Sequence, residues 1–467
     1  METANLNWKK IISFSLPMTL IGVADLLLIG IDFFWIYYFI GEPEALSALR
    51  VSSSIVLLIE AVLVGVISAL LVYISQHNGA GHIEKVMRGV KGSFSFSIHA
   101  GLITTLIGLL LLPLLILMFG VSQKISIYVE GYLSVYLVGY IAISLNNLLL
   151  LLPRYFQKLN LVYKGLGLTL LTNLIITPIF MLVFIQFGMS AISGAATGTI
   201  VANLLCSIYM IWQLFMKDHL QIGLSKKQIS FKIDFQLLKQ NITYIGSQIF
   251  SGLTYNVSMF LYILILSYYP EDAFNVYAVA SYIFVFLGVF AQNFAASIIP
   301  MVSEYIGSKQ IEAVKDLVKK MVMILLGYGS IAAAIVLLSK NLLAKALSTN
   351  DYFIPLYSNF FTYYTIPWVL NTIAIVFIFV VAGAGDSKGG IILTVTNMYV
   401  VVLVCLLFVP QLFKDQTNGV FITLALIEVL TFVSSFAYYL YGRWTKATLV
   451  KENVVQQEEG LSVENSV

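Results

Sequence analysis

Three carboxylates stand where an apolar chain least favours them. Asp25 and Asp32 lie in the apolar run 15–39, and Glu60 lies well inside the next one, 47–74. On membrane-insertion scales an ionised Asp at a helix centre costs about 2.5–3.5 kcal/mol. The two aspartates are seven residues apart, so a helix turns them to nearly the same side. Carboxylates so placed face a bundle interior or a wet cavity rather than lipid. The chemistry they offer there is reversible binding of a proton or another cation. For Asp32 the alternative is a wet position near an interface, because about 33 Å of helix separate it from Lys10. Asp25 either joins a proton network with Asp32, makes an interhelical hydrogen bond, or pairs with Arg50. Glu60 lines the same cavity or seeks Arg50, which is about 15 Å away along one helix and so out of direct reach within it.

Polar amides form a second set of candidates. Asn147, Asn173, Asn256 and Asn371 all fall inside apolar runs. Most such amides make interhelical hydrogen bonds worth about 1 kcal/mol. Trp368 follows Pro367, and with Tyr363 and Tyr364 it forms a candidate aromatic wall, suited to a flat cation. His77, His82, His99 and His219 have no metal-ligand spacing, and Cys206 and Cys405 lie in apolar runs. Neither a metal site, a cofactor nor a disulfide framework is expected.

These residues must be positioned by membrane-spanning helices. The chain has 467 residues and a mean hydropathy of +0.92, with 10% charged residues, where a soluble protein has about 25%. This composition indicates an all-α polytopic membrane protein and argues against a nucleic-acid partner. Twelve apolar segments can be drawn, at 10–39, 47–74, 93–119, 125–150, 160–186, 190–216, 240–268, 272–300, 319–339, 353–382, 389–412 and 418–442. Most exceed the ~20 residues that span a bilayer. The first is too long for a cleavable signal and is expected to remain as a helix. With the N-terminus inside, the inner loops and termini hold 21 of the 26 Lys and Arg residues. The positive-inside rule then predicts a multi-pass cell-membrane protein with both termini cytoplasmic. Trp8, Trp212 and Trp444 fall at inner boundaries and Trp35 at an outer one, as interfacial anchors. The tail after Trp444 is polar and expected to be disordered.

An internal repeat is visible. The stretch 75–86 matches 303–314, with Ser75, Gly79, Ile83 and Glu84 answering to Ser303, Gly307, Ile311 and Glu312. Thr172-Asn173 likewise matches Thr396-Asn397. Because inner loops match inner loops, the repeat is parallel, six helices plus six about an axis along the membrane normal. The expected organisation is an N-terminal lobe (1–216), a cytoplasmic connection (217–239), a C-terminal lobe (240–444) and the tail (445–467). Gly22, Gly65, Gly246 and Gly252 are expected to allow close helix contact or bending.

Several spaced pieces resemble the multidrug and toxic compound extrusion (MATE) family. They are Leu16-Pro17 with Asp32 and Gly41, Ser75-Gln76 with Gly79-Ala80-Gly81, Pro153 to Gln157, Gly194 to Thr199, Gly307, and Gly383 to Lys388. The resemblance covers about residues 8–445. It implies twelve helices in two pseudo-symmetric six-helix lobes arranged as a V, and an antiporter that expels a substrate while H⁺ or Na⁺ runs inward. It places Asp32 at the family's coupling position on the first helix. Asn173 matches the fifth-helix pattern, but Thr177 stands before Pro178 where the family has Asp. Thr199 matches the sixth-helix threonine. Asn256 and Asn371 stand where other members carry carboxylates. Any cation coupling is therefore expected in the N-terminal lobe, at Asp32, Asn173, Thr177 and Thr199, with the proton as the first choice of ion. Asp25, Glu60, Asn147, Asn256, Asn371 and Trp368 remain cavity candidates.

The function so implied is efflux of a small organic molecule, amphipathic or cationic, by a monomer with no catalytic activity. One alternative is a lipid-linked glycan flippase of the wider superfamily, against which the scarcity of basic residues in the spans argues. Another is a membrane-embedded transferase, which would need Asp-rich Mg²⁺ motifs or a His/Asp pair. Neither pattern is present.

Overall fold

A computed structural model describes residues 8–450, apart from the side chains of Asp25, Leu26 and Ile29. The Asp25 expectation and the tail from 451 onward therefore lie outside the described residues. The described chain is helical, with no strand among its elements. In a bilayer every backbone N–H and C=O must be satisfied within its own segment, which leaves helices as the economical choice for such apolar runs.

The helices are longer than the apolar runs alone. They are α1 (Trp8–Phe39), α2 (Pro43–Gly79), α3 (Ile83–Met118), α4 (Gln123–Val138), α5 (Tyr140–Tyr155), α6 (Leu159–Gln186) and α7 (Ala191–Ile211) in the first half. The second half holds α8 (Phe235–Leu266), α9 (Glu271–Ala296), α10 (Ile298–Gly307), α11 (Ile311–Leu347), α12 (Phe353–Ala384), α13 (Ser387–Val395), α14 (Val402–Phe408) and α15 (Gln416–Tyr441). Among the described residues, ten helical stretches are long and apolar enough to cross a membrane, or eleven with the bent pair α4–α5. The other long apolar helix is α1, with 32 residues. Twelve spans follow. The 37 residues of α2 make about 55 Å of helix, well beyond a ~30 Å hydrocarbon core. Charged residues that read as loop, such as Lys85 and Arg88, sit instead on helical turns that project past the bilayer.

Two predicted spans are irregular. The run 125–150 is not one straight helix: α4 and α5 meet at a 62° bend. Gly139 stands at the break, and Ile200 of α7 fills the space where its Cβ would be, 2.4 Å away. The Thr105 hydroxyl donates to the carbonyl of Leu137 at 2.6 Å, satisfying a backbone oxygen that the break frees. The run 389–412 is likewise broken by a π-helical turn, Thr396–Val401. Trp444 is not an interfacial anchor. It is 1% exposed, stacks on Tyr439 at 5.3 Å, and donates its indole N–H to the carbonyl of the same residue.

Three buried clusters hold the bundle. One gathers α2 to α7 with the first turns of α8, and one gathers α14 with the ends of α8, α9, α11, α12 and α15 that lie away from the termini. The third crosses between the halves: Ile11, Phe14, Met18 and Ile21 of α1 pack with Phe294, Ile298 and Met321. Thus α1 starts in a seam with the second half, while Ile36, farther along, belongs to the first-half cluster.

The seam is tightest at the face that bears both termini and the basic loops. There the two repeat copies touch. A Cβ on Gly79 would lie 2.1 Å from the Glu304 carbonyl oxygen, and one on Gly307 would lie 1.9 Å from that of Gln76. The Ser75 hydroxyl donates to Pro300 O at 3.2 Å. Gln76 is fully buried and its amide donates to Ala384 O at 3.0 Å and Gly383 O at 3.3 Å. The Ser303 hydroxyl donates to the same Gly383 oxygen at 3.0 Å. Gln157 donates to Glu304 Oε2 at 2.7 Å. The chain beyond α15 returns to this point: the backbone N–H of Leu449 donates to Gln76 Oε1 at 2.7 Å, and Leu449 packs on the first-half cluster. Of the four glycines expected to lie at contacts, Gly22, Gly65 and Gly252 face the other half closely, while Gly246 faces open space.

Candidate functional site

The site is built where α1, α4, α6 and α7 converge. Packing of α7 on α6 sets its frame. Gly194 and Gly198 lie one turn apart, and Cβ atoms there would approach Met181 Cα at 2.7 Å and Thr177 Cα at 2.5 Å. The small-residue stripe lets the two backbones meet. That contact brings Thr199 beside Asn173, whose amide donates to Thr199 Oγ1 at 3.2 Å. Thr177 donates to Asn173 Oδ1 at 3.3 Å. On the other side α4 is tied to α7, because Ser193 donates to the Gly131 carbonyl at 2.7 Å.

Asp32 enters this frame from α1. It is 8% exposed. The Thr199 hydroxyl lies 3.3 Å from Oδ1 and 3.2 Å from Oδ2, and Tyr132 of α4 donates to Oδ2 at 3.4 Å. Among the described residues no basic group faces the carboxylate. Asp32, Asn173, Thr177 and Thr199 therefore form one chain of contacts. Tyr132 completes it and has no sequence signal, being one of 27 tyrosines. Tyr132 stacks on Tyr136 at 5.7 Å, and Tyr136 approaches Tyr140 at 6.2 Å. Glu60 is half-buried on α2.

The remaining candidates are elsewhere. Asn147 is half-buried, and its neighbour Asn146 makes the interhelical bond, to Asn203 Oδ1 at 2.7 Å. Asn256 donates within its own helix, to Gly252 O at 3.0 Å. In the second half, Asn371 and Tyr364 of α12 both donate to the Glu428 carboxylate of α15. Tyr364 stacks on Phe360 at 5.1 Å, Phe360 approaches Tyr277 at 6.4 Å, and the rings of Tyr277 and Tyr262 are 5.5 Å apart. Trp368 is buried close by on α12, 5.6 Å from Phe284. A carboxylate within an aromatic wall is thus present in the second half, although the aligned amide positions read as neutral. The Gly383–Lys388 piece is structural: Asp386 caps α13 through Gly389 N–H at 3.1 Å and accepts from Tyr438 at 2.7 Å. No group of three or more His, Cys, Asp or Glu among the described residues is arranged to hold a metal.

Two apolar lobes around polar clusters within a twelve-span bundle define a membrane transporter fold. The MatE family model matches residues 17–179 and 248–407; the chain belongs to that family, the multidrug and toxic compound extrusion transporters. No curated protein sequence matches it. Among solved structures it is similar to the Vibrio cholerae MATE transporter VcmN in the bent form, with a TM-score of 0.81 at 18% identity, covering 94% of this chain and 97% of that one. It is also similar to a MATE structure in the bent conformation, with a TM-score of 0.82 at 20% identity and coverage of 95% and 97%. A MOP superfamily transporter from Pyrococcus furiosus gives a TM-score of 0.79 at 19% identity, with coverage of 96% and 97%. These likenesses establish the V-shaped two-lobe transporter fold in a multi-pass membrane protein. The family and its structural neighbours are transporters rather than enzymes.

Proposed function

We propose that the chain exports an organic cation in exchange for protons, by alternating access, from a cell membrane in which the basic face is cytoplasmic. The observation that carries the reading is the Asp32 cluster, a buried carboxylate with no basic neighbour among the described residues, held by hydroxyls from α4 and α7. Ionised, Asp32 accepts from Thr199 and Tyr132. Protonated, it accepts those hydrogen bonds more weakly, and α1 is freed at that end. The other end of α1 packs in the seam between the halves. A shift of α1 is therefore transmitted to the contact that decides which side is open. Inward proton movement supplies about 2.3 kcal/mol per 100 mV. The proton is the first choice of ion because one buried carboxylate suffices to carry it, whereas Na⁺ needs several oxygens at once.

In this reading the halves divide the labour. The first half couples, and the aromatic wall around Glu428 meets the substrate, since carboxylate plus aromatic faces suit a flat cation. The test is efflux of a fluorescent cation from vesicles under a proton gradient or a Na⁺ gradient alone. Drive by the proton gradient is expected. Drive by Na⁺ alone would overturn the ion assignment, and no response to either gradient would overturn antiport.

Glu428→Gln is expected to raise the KM for the cation about tenfold, the loss of one charge-assisted contact of ~1.4 kcal/mol, with the proton requirement unchanged. An unchanged KM would remove Glu428 from the substrate site. The strap formed by Thr448 and Leu449 closes over the seam. Ending the chain at Ala447 is expected to raise thiol labelling of a Ser303→Cys reporter about fivefold, the worth of a hydrogen bond. Equal labelling with and without the strap would show that it does not hold the seam.

A further inference from the structure

A cavity on the basic face lies against the connection between α7 and α8, and the transport cycle proposed above does not use it. It has a volume of about 580 Å³ and is lined by Arg88 and Lys91 of α3, Lys227 and Lys232 of the connection, and Asp234. Arg88 is already engaged. Its Nε lies 2.5 Å from Asp234 Oδ2, and one terminal nitrogen lies 2.9 Å from Oδ1 and 2.9 Å from Gln236 Oε1. The guanidinium holds the Asp234 carboxyl below the usual carboxylate range, so the two form a neutral pair. Lys91, Lys227 and Lys232 are exposed and have no carboxylate partner among the described residues. The cavity wall is therefore left with their uncompensated positive charge, which concentrates anions.

The surroundings are those of a bilayer boundary. Phe235, the first residue of α8, lines the cavity, and Phe231 lies next to Lys232 on the connection; they are 72% and 70% exposed. Two bare phenyl rings beside a lysine cluster fit the junction of headgroups and acyl chains better than water. Trp212, at the end of the preceding helix, is also exposed, with Lys217 Nζ 3.6 Å from its ring centroid. This is the arrangement of an interfacial aromatic with a snorkelling cation.

We propose that this cavity holds the phosphate headgroup of an anionic phospholipid, with Phe231 and Phe235 set into the acyl region beside it. The shared chemistry is a phosphate oxyanion met by lysine ammonium groups. The lipid, rather than free phosphate, is indicated by the exposed phenylalanines. A lipid held here would fasten the connection between the halves to the membrane surface.

The test uses the purified full chain in detergent, with short-chain phosphatidylglycerol, short-chain phosphatidylcholine and inorganic phosphate as probes, and bound species counted by native mass spectrometry. Phosphatidylglycerol is expected to be retained about tenfold over phosphatidylcholine, in keeping with several lysine contacts near a surface. Changing Lys91, Lys227 and Lys232 together to Gln should abolish the preference, and changing the same three to Arg should keep it. The Arg variant separates lost charge from lost folding. Phe231→Ser with Phe235→Ser should weaken phosphatidylglycerol retention while leaving phosphate unaffected. Equal retention of the two lipids by the unaltered chain, or a preference that survives the Gln changes, would overturn the site. Phosphate binding as tightly as the lipid, with lipid retention indifferent to the Phe changes, would overturn the lipid as its occupant.

Discussion

Asp32→Asn is expected to abolish proton-driven efflux while leaving the helix bundle intact. Asn matches Asp in shape, so its side-chain oxygen can still accept from Thr199 and Tyr132, which stand 3.2 and 3.4 Å from Asp32 Oδ2. What it lacks is a proton that can be taken up on one side and released on the other. Removing such a group should lower coupled flux on the order of 100-fold, the size seen when a proton-transfer group is lost. Thr199→Ala should cost less, because it removes one hydrogen bond to a charged group, worth about 1.5–3 kcal/mol, and leaves the carboxyl. The measurement is dye efflux from vesicles under an imposed pH step, normalised to protein inserted. Full transport by the Asn variant would remove Asp32 from the coupling step. If Glu428→Gln abolished flux instead, the roles given to the halves would be reversed.

Gly307→Ala is expected to stop the cycle by a steric route. At this position a methyl group would stand 1.9 Å from the backbone oxygen of Gln76, and Gly79 presents the mirror problem, 2.1 Å from the Glu304 oxygen. Backbone atoms cannot rotate out of the way as a side-chain tip can. Overpacking a close contact costs about 1–3 kcal/mol, and here the cost falls on the state with the seam closed, because the two backbones meet only there. A two-state equilibrium shifted by that much moves about 5- to 100-fold. A Ser303→Cys reporter, fully buried in the closed seam, should then react with a membrane-impermeant maleimide at least about fivefold faster from the basic face, and transport should fall in step. Unchanged labelling together with unchanged transport would show that this contact is not a gate.

How much of this was legible varied with the range of the interaction. Asp32, Asn173, Thr177 and Thr199 could be named together because a resemblance aligns them, and they do lie in one chain of contacts. Tyr132 could not be named: it is one tyrosine among many, and its selection depends on α4 being tied to α7 through Ser193 and Gly131. The second half was read as lacking a carboxylate at its aligned positions. Glu428 was legible as the one carboxylate deep in a second-half helix, but that it reaches Asn371 and Tyr364 from about sixty residues away is a pairing no local pattern encodes. The bend at Gly139 was missed because a single glycine in an apolar run is compatible with a straight helix until Ile200 packs into it. Trp444 was misread for the same kind of reason. Its position suited an interface, but a stacked Tyr439 buries it.

Residue types and their order alone settled the helical class, the twelve spans and the existence of two related halves. Each of these rests on a free energy paid segment by segment: an apolar run enters the bilayer as a helix because its own backbone satisfies its own polar groups. The repeat, too, is a property of the string. That the repeat copies press against each other at Gly79 and Gly307, and that α1 serves both the seam and the acidic cluster, was decided only by tertiary packing. So was the gathering of lysines around the connection. Contacts between helices hundreds of residues apart depend on which faces meet, and helix faces that look equally apolar in sequence are sorted only by the close fit of their neighbours.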